Sequence, residues 1–335
     1  MLNTPMLSTT DDIAPVWVLD DARAGTSGQA IGIAERLGVP HLRVPLTWNW
    51  RAHLAALPPR GSLRGLSGVP GWPFTAPRGP AMTLSAGSRS EAVALWMRSR
   101  FGARIVHCMM PQFGRAGRFD MLVVPQYERP PRRANVLPVL GTPHRLSPLA
   151  LSQARVAWAG RLAHLPRPLV TLLVGGGMRE DEMRPAFAHS LGLHAAQLAQ
   201  SAGGAVLAST SRRTGSEATD ALAAGLASSM HLLYRWGEPD ENPYEGFIGL
   251  ADAIIVTGDS VSMISEACGA EAPVFIAGSG ATRRLRAFHA SLYAAGQARP
   301  LGNTLVSWTR TPLDEAGRVA TAIRSRMALG PQAVD

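Results

Sequence analysis

The residues best suited to chemistry come directly after apolar runs. Asp20 ends the run PVWVLD and Asp21 follows it, ahead of a stretch that contains Gly25 and Gly28. A carboxylate at the end of a strand can act as a general base, or it can simply cap the next turn. Glycines permit close approach of a ligand to the backbone, and the N–H groups at a helix start attract anions. The pattern predicts an anion or acceptor site, with a purely steric glycine turn as the alternative.

A second group of candidates follows two apolar runs in the middle of the chain. Gly175–Gly177 come after PLVTLLV, with Gly176 at their centre, and Ser211 and Arg212 come after GAVLAST. Three consecutive glycines cost chain entropy, which indicates close approach of a phosphate or of a packed helix. Hydroxyl and guanidinium groups suit a diphosphate, although a solvated helix cap would use the same residue types. Both interpretations remain open at this point.

The segment TGDSVSMISEACG, residues 257–269, holds the third group. Ser260 is a good helix N-cap, and at about 100° per residue Ser262 and Glu266 face away from the apolar side. Because this helix starts at the carboxyl end of a predicted strand, Glu266 is placed to reach ribose hydroxyls; the alternative is a solvated glutamate. The GDSVS run resembles a hydrolase nucleophile elbow but lacks its second glycine, so hydrolase chemistry is disfavoured.

The charge of the chain restricts its partners. All 33 residues counted as Lys or Arg are Arg, and the formal net charge is +9. Arginine pairs with phosphates and carboxylates in two-point contacts, which predicts acidic partners: sugar nucleotides, an anionic membrane surface or nucleic acid. The arginines are scattered and are not interleaved with aromatic residues, so we expect no nucleic-acid module. The high content of Ala, Arg, Gly and Pro indicates a bacterial origin.

Metal, disulfide and membrane-spanning chemistry find little support in the sequence. Cys108 and Cys268 each lie among apolar residues and are predicted to be buried small hydrophobic side chains. The nine His are dispersed without paired-ligand spacing, so we expect no metal site and no cofactor. Apolar runs stop short of the ~20 residues of a membrane span, and the start lacks a secretory signal. We therefore expect a cytoplasmic protein.

The elements that must position these groups alternate along the chain. Short apolar runs predict strands, amphipathic stretches predict helices, and residues 58–80, rich in Pro and Gly, predict a loop or lid. This alternation indicates an α/β fold of two doubly wound, Rossmann-like parallel-sheet domains facing a cleft. We expect an N-terminal domain over 1–160, a second domain over 161–311, and a C-terminal helix over 312–335 that packs back on the first. Ligands of such sheets bind beyond the carboxyl ends of the strands.

A set of longer motifs resembles a known family. These motifs are WVLDDARAGTSGQAIGIAERL, LSAGSRS, FDMLVVPQYE, NVLPVLGTPHRL, TSRRTG and ENPYEGFIGLADAIIVTGDSVSMISEACG. Together, over about residues 16–310, they resemble the plant "elongated mitochondria" mitochondrial-fission proteins and their bacterial relatives. That family looks like a divergent branch of the GT-B glycosyltransferases, which implies a GT-B-like fold. The nearest analogy is the enzyme that adds N-acetylglucosamine to the lipid-linked peptidoglycan precursor.

The resemblance also implies roles for the candidate binding residues. Glu266 would hold the ribose of a nucleotide-diphosphate sugar, and Phe247 would lie near its base. Ser260 and Ser262 would line the diphosphate, together with the glycine turn Gly175–Gly177. The donor would therefore bind on the second domain, and no metal is needed if helix dipoles and arginines neutralise the leaving diphosphate.

Catalysis is where the chain departs from the glycosyltransferase pattern. The first loop of the analogous enzyme ends in a histidine, and the corresponding residue here is Gln29. Because a glutamine cannot usefully accept a proton, any base would be Asp20 or Asp21, or the substrate itself. The resemblance implies a metal-independent glycosyltransferase with a cell-envelope or lipid-linked acceptor, peripheral to the inner membrane. The alternative is a non-catalytic scaffold, because the plant proteins recruit a dynamin-related protein to mitochondria.

Overall fold

The computed structural model describes most of the chain, namely residues 15–21, 23–51, 61–67, 73–112, 114–176, 183–278 and 280–327. The chain divides into two compact units. The first unit contains Met1–Val123, Arg132–Leu137 and Ala320–Asp335, and the second contains Val124–Pro131 and Pro138–Val319. Each unit is organised around a six-stranded sheet.

The first sheet is built from the N-terminal part of the chain. In chain order the elements are β1 (Val16–Asp21), α1 (Ala24–Leu37), β2 (His41–Leu46), β3 (Met82–Ala86), α2 (Gly87–Phe101), β4 (Arg104–Cys108), β5 (Met121–Pro125) and β6 (Val136–Val139). The strand order is β2-β1-β3-β4-β5-β6, and the registers described for β1 to β5 are parallel. The order reverses between β1 and β3, which is where open α/β sheets usually bind ligands.

Burial explains why these segments form strands. Residues 16–19 are at most 1% exposed, and β3 and β5 are buried throughout. Continuous apolar runs of this kind are typical of parallel strands that are covered on both faces. Gly38 ends α1 and Gly102 ends α2, each in the left-handed conformation (φ 67° and 72°) that glycine adopts without strain.

The second sheet is built from the remaining strands. In chain order the elements are α3 (Pro148–Leu162), β7 (Leu169–Val174), α4 (Pro185–Ser201), β8 (Ala205–Thr210), α5 (Ser216–Leu226), β9 (His231–Tyr234), α6 (Tyr244–Leu250), β10 (Ala253–Thr257), α7 (Val261–Cys268), β11 (Val274–Ala277), α8 (Arg283–Ala294), β12 (Arg299–Pro300) and α9 (Glu315–Met327). The strand order is β12-β11-β10-β7-β8-β9, with parallel pairing. The first strand of this sheet, β7, lies beside the fourth, β10, so the order reverses between them.

Helices cover both faces of the second sheet. Val170 and Leu172 pack on one face with side chains of α4 and α5. Leu173 packs on the opposite face with Ile264 of α7 and Phe288 of α8. The alternation follows the two-residue period of a strand, and it fixes which helices flank the reversal point.

The structure confirms the predicted α/β architecture of two doubly wound parallel sheets. It corrects one helix start: α1 begins at Ala24, so Gly25 and Gly28 lie in its first turns and not in a preceding loop. Two strands are not predicted from the sequence: β2, a partly exposed strand that contains Pro45, and β12, which has two residues. Weak apolar patterning explains both omissions.

Two further segments complete the description. Of the predicted loop over 58–80, residues 61–67 and 73–80 are described, and they contain turns and a bridge from Leu66 to Trp48. The last turns of α9 belong to the first unit, where Arg324 donates to the carbonyl oxygens of Arg36 and Leu37 over 3.0 and 3.1 Å. Within the described ranges, the helices are too short or too polar to traverse a bilayer.

Candidate functional site

The candidate site lies at the carboxyl edge of the second sheet, where the strand order reverses. β10, β7 and β8 are neighbours there, and each continues into one of the predicted motifs. Gly175 and Gly176 follow β7, Asp259 and Ser260 follow β10, and Ser211 follows β8. The parallel sheet therefore brings together three motifs that are far apart in sequence. Gly177 lies outside the described residues.

The glycine turn after β7 is held tightly by the chain itself. The Gly175 N–H donates to Thr257 Oγ1 over 2.8 Å. A Cβ added to Gly175 would lie 2.5 Å from Asp259 Oδ2, and a Cβ added to Gly176 would lie 2.3 Å from the Cβ of Arg213. Both glycines are therefore required by close packing within the second unit, which is the steric interpretation that the sequence left open.

The turn after β8 is closed by a hydroxyl network. Thr214 Oγ1 donates to the Gly175 carbonyl oxygen over 2.7 Å and accepts from the Ser211 N–H over 2.9 Å. The Ser211 and Thr214 hydroxyl oxygens are 3.1 Å apart, so Ser211 also stabilises the turn. Arg212 is exposed, and its guanidinium is available to an anion. Thr214, which ties this turn to the glycines, is not among the residues predicted from the sequence.

Asp259 is the unexpected group at this edge. Both of its carboxylate oxygens are buried and, within the described part of the chain, neither has a hydrogen-bond partner of normal geometry. Burial raises the pKa of Asp259, while the Thr257 hydroxyl, nearby backbone N–H groups and the Arg213 charge lower it. A phosphate within 4 Å of an ionised Asp259 would be repelled by about 4 kcal/mol at an effective dielectric constant of 20. The protonation of Asp259 thus bears on what the site can bind.

The start of α7 is capped by its own sequence. Ser260 Oγ accepts a hydrogen bond from the Met263 N–H over 3.4 Å, and Ser260 is 8% exposed. Ser262 lies in the first turn and is partly exposed. The first N–H groups of a helix have no partner within the helix, and they carry the positive end of its dipole. The helix start next to β7 is therefore suited to an anion.

Glu266 lies two turns into α7 and is paired with a tyrosine. The Tyr244 hydroxyl donates to Glu266 Oε2 over 2.6 Å. Burial raises the pKa of Glu266 to about 7; the Tyr244 hydrogen bond lowers it and the charge of Glu245 raises it. The pKa of Tyr244 is also raised, first by burial and then by Glu266. Tyr244 could not be predicted from the sequence, because nothing local to either residue indicates the pairing.

Phe247 does not present its ring at this edge. It is 2% exposed and packs among Leu162 and Leu250 in a core cluster, with an edge-on contact to Trp158 at 6.4 Å between ring centroids. Its carbonyl oxygen accepts from Thr171 Oγ1. A ring buried in this way has no exposed face for a base, contrary to the position that the resemblance implied.

The first unit holds the two predicted catalytic carboxylates at the end of β1. Asp20 Oδ2 accepts from Arg43 Nη2 over 2.6 Å and from Arg43 Nε over 3.2 Å. Asp21 is 3% exposed and accepts from Trp48 Nε1 over 3.2 Å. Gln29 Nε2 donates to the carbonyl oxygen of Gly25 over 3.1 Å. Each side chain is therefore engaged within the chain.

Two helix starts meet beside these carboxylates. Neither α1 nor α2 has a side-chain cap at its first residue. Gly87 opens α2 with φ 80°, and a Cβ there would lie 2.8 Å from Thr26 Cγ2 in the first turn of α1. Gly28 has open space where a side chain would be. The first sheet thus presents backbone N–H groups at its reversal point, next to carboxylates that are already paired.

Packing accounts for the two cysteines. Cys108 and Cys268 are both buried as predicted, and burial raises the pKa of each thiol to about 12, so both are neutral. Among the described residues, no group of three or more His, Cys, Asp or Glu side chains could hold a metal ion.

Comparison with known proteins gives a family and a fold. The profile of the family described as "Mitochondrial fission ELM1" matches residues 24–327. The chain is 26% identical over 278 residues to "Mitochondrial fission protein ELM1" of Arabidopsis thaliana, a match that covers 75% of this chain and 64% of that protein. The chain thus spans less than two thirds of the length of that relative.

Two solved structures share the architecture of this chain. UDP-GlcNAc 2-epimerase from Methanocaldococcus jannaschii is 11% identical, with a TM-score of 0.56, over 92% of this chain and 99% of that one. UDP-GlcNAc 2-epimerase from Neisseria meningitidis, bound to UDP-GlcNAc, is 13% identical, with a TM-score of 0.53, over 93% and 99%. At these identities the similarity establishes the fold, which is GT-B-like, as predicted.

Proposed function

Because the chain belongs to the mitochondrial fission ELM1 family and has a GT-B-like fold, we propose that its second unit binds a nucleotide-diphosphate sugar. The observation that carries this proposal is the convergence of three motifs at one edge. The glycine turn, the start of α7 and the Arg212 turn follow adjacent strands β7, β10 and β8, at the reversal point of the sheet.

The diphosphate would lie against the start of α7. The first N–H groups of the helix and the hydroxyl of Ser262 would donate to phosphate oxygens, and Arg212 would pair with them from the β8 turn. These donors neutralise a leaving diphosphate without a metal. Asp259 opposes this arrangement when it is ionised, and its raised pKa favours the neutral form that a phosphate tolerates.

The ribose would bind Glu266. Its Oε2 is occupied by the Tyr244 hydroxyl, which leaves Oε1 to accept from a ribose hydroxyl. The Neisseria neighbour was solved with UDP-GlcNAc, which makes UDP-GlcNAc the first donor to test.

Transfer would require an acceptor and a base on the first unit. A cell-envelope or lipid-linked acceptor would approach the starts of α1 and α2, and the protein would act at the inner membrane surface. Asp20 Oδ2 accepts from Arg43 and Asp21 Oδ1 accepts from Trp48, so the other oxygen of either carboxylate would have to act as the base.

The pairing of these carboxylates supports a second candidate function. A non-catalytic scaffold would keep the nucleotide-type fold and need no base. The internal bonds of Asp20, Asp21 and Gln29 are what a chain with no use for a base would show. In this case the second unit would bind a nucleotide as a regulator, or bind none, and the surface would bind a protein partner.

Calorimetric titration of UDP-GlcNAc, UDP and GDP tests the binding proposal. We expect at least one to bind, and Arg212→Ala to weaken binding about tenfold to a hundredfold, since bonds to charged groups contribute about 1.5–3 kcal/mol. Arg132→Ala, an exposed arginine of the first unit, is the matched control and should bind normally. Absence of binding at millimolar concentration would contradict the proposal.

Release of UDP from UDP-GlcNAc in the presence of an envelope fraction separates the two functions. A transferase would release UDP, and Asp20→Asn or Asp21→Asn would reduce the rate at least a hundredfold if that residue is the base. A scaffold would bind the nucleotide without turnover, and both substitutions would leave binding unchanged.

A further inference from the structure

The second sheet carries an exposed aromatic ring at the edge where its motifs converge. Trp236 comes two residues after the end of β9 and is 54% exposed. By contrast, Phe247, Phe275 and Phe288 of the same unit are at most 2% exposed. Burying one face of an indole is favourable, so a tryptophan exposed at this edge is available to stack on a flat ligand.

We propose that Trp236 is the platform on which the base of the bound nucleotide stacks. This inference rests on the proposed function, because it assigns the base to a position beyond the phosphates and ribose. The strand order is β10-β7-β8-β9, and neighbouring strands are about 4.8 Å apart. Trp236 therefore lies about 10 Å along the edge from the glycine turn of β7, a distance suited to the span from diphosphate to base.

The loop after β9 links this ring to the residues assigned to the ribose. Residues 235–243 run from the end of β9 to the start of α6, where Tyr244 donates to Glu266. Trp236 and Tyr244 thus lie at the two ends of one loop. A ribose on Glu266 would direct its base toward this loop. Phe187, which is 42% exposed, lies beside Gly278 after β11, on the opposite side of the reversal point.

The backbone that carries Trp236 is braced before any ligand binds. The Trp236 N–H donates to Thr210 Oγ1 over 2.9 Å, which ties it to the end of β8. The Glu238 N–H donates to the Arg235 carbonyl oxygen over 3.1 Å, and Glu238 Oε2 accepts from the Arg235 N–H over 3.2 Å. Arg235 is also paired with Asp220 over 2.6 Å. Because the backbone at Trp236 is already ordered, binding would fix only the torsions of the indole side chain, which lowers the entropic cost of stacking.

Stacking on an aromatic ring tolerates different bases, because every base has a flat π-face. The ligand class is therefore a nucleoside diphosphate, with no preference set by Trp236 itself. Exposed tryptophans also anchor protein partners, and that occupant is separated from a base by the experiment below.

Titration calorimetry with UDP and with inorganic pyrophosphate, which has no base, tests the platform. We expect Trp236→Ala to weaken UDP binding about tenfold to a hundredfold and Trp236→Phe to retain most of the affinity. Pyrophosphate should bind both variants as it binds the wild type. Trp50→Ala, which removes a 76% exposed tryptophan from the first unit, should bind UDP normally.

The outcomes separate this inference from the proposed function. If wild type binds UDP and Trp236→Ala binds it equally well, the platform is overturned and the nucleotide site stands. If Trp236→Ala weakens UDP and pyrophosphate to the same extent, the ring supports the fold of the edge and the platform is again overturned. If wild type binds no nucleotide at millimolar concentration, both proposals fail, and Trp236 becomes a candidate for a protein contact.

Discussion

The two sheets differ in how the carboxylates are paired at the points where their strand orders reverse. In the first sheet, Asp20 is paired with Arg43 and Asp21 accepts from Trp48. In the second, the buried oxygens of Asp259 lack partners among the described residues, and burial raises the pKa of both Asp259 and Glu266. Buried acids with raised pKa values cluster at functional sites. Two similar sheet edges therefore differ in whether their carboxylates are already paired, and the second edge is the better candidate for binding a ligand.

The largest expected effect is on the free energy of unfolding. The helices that start at the two edges, α1 and α7, each end at carbonyl groups that accept hydrogen bonds from an arginine. Arg310 donates to the carbonyl oxygens of Cys268, Ala270 and Ala272 over 2.8, 2.6 and 2.8 Å. We expect Arg310→Ala to lower the free energy of unfolding by about 3–4 kcal/mol, because several carbonyl groups lose a charged donor. Urea unfolding followed by circular dichroism measures this.

The matched variant for the first edge is Arg324→Ala. Arg324 is exposed and donates to two carbonyl oxygens at the end of α1, so we expect a loss of about 1 kcal/mol. Equal losses in the two variants would show that the second edge is not held more firmly than the first.

Alanine in place of a glycine should destabilise the protein at the second edge and stabilise it at the first. Gly175→Ala would place a Cβ 2.5 Å from Asp259 Oδ2, and we expect overpacking to cost about 1–3 kcal/mol of unfolding free energy. Gly28→Ala adds a methyl group in open space within α1, where alanine is favoured over glycine by about 0.5–1 kcal/mol. Urea titration of both variants tests this, and a neutral Gly175→Ala would remove the steric explanation of that glycine.

Asp259→Asn should stabilise the protein at high pH. The pKa of Asp259 is raised in the folded protein, so the folded state holds the proton more tightly and wild-type stability rises as the pH falls through that pKa. Ionisation of a buried carboxylate costs stability, so we expect Asp259→Asn to add about 1 kcal/mol at the upper end of the pH range. The gain should shrink as the pH is lowered. Thermal unfolding between pH 5 and pH 8, at about one-unit steps, measures the trend.

The control at the first edge is Asp20→Asn. It removes an ion pair with the half-exposed Arg43, and we expect stability to fall by up to about 1 kcal/mol. If Asp259→Asn is also destabilising at pH 8, the proposed difference between the carboxylates of the two edges is contradicted.

A further prediction concerns the pH dependence of stability that Glu266 contributes. Its pKa rises from 4.5 to about 7 on folding, so its contribution to stability is complete below about pH 4.5 and is lost as the pH rises toward 7. Glu266→Gln keeps an acceptor for Tyr244 and removes the titration. We expect the thermal midpoint of the variant to change less with pH across this window than that of the wild type. A profile parallel to that of the wild type would assign the titration to other groups.

The fold could be predicted from the sequence more fully than the contacts of the site. The apolar runs before Asp20 and Gly175 predict strands, and both are strands, because a buried parallel strand must be apolar on both faces. The start of α1 is predicted to follow Gly28, because glycines at 25 and 28 are typical of a turn, while the structure includes both in the helix. Local composition decides such boundaries poorly, because packing compensates for weak helix propensity.

The sequence by itself determined the two doubly wound sheets and the motifs that follow β7, β8 and β10, because both depend on short-range patterning. Only the tertiary structure decided what those residues contact. The Tyr244 hydroxyl on Glu266, the burial of the Phe247 ring and the carboxylate of Asp259 beside Gly175 each join segments distant in sequence. Strand order determines which strand ends are adjacent, and neither spacing nor composition encodes that order. For this reason the sequence located the candidate edge, and the packing of the chain determined its chemistry.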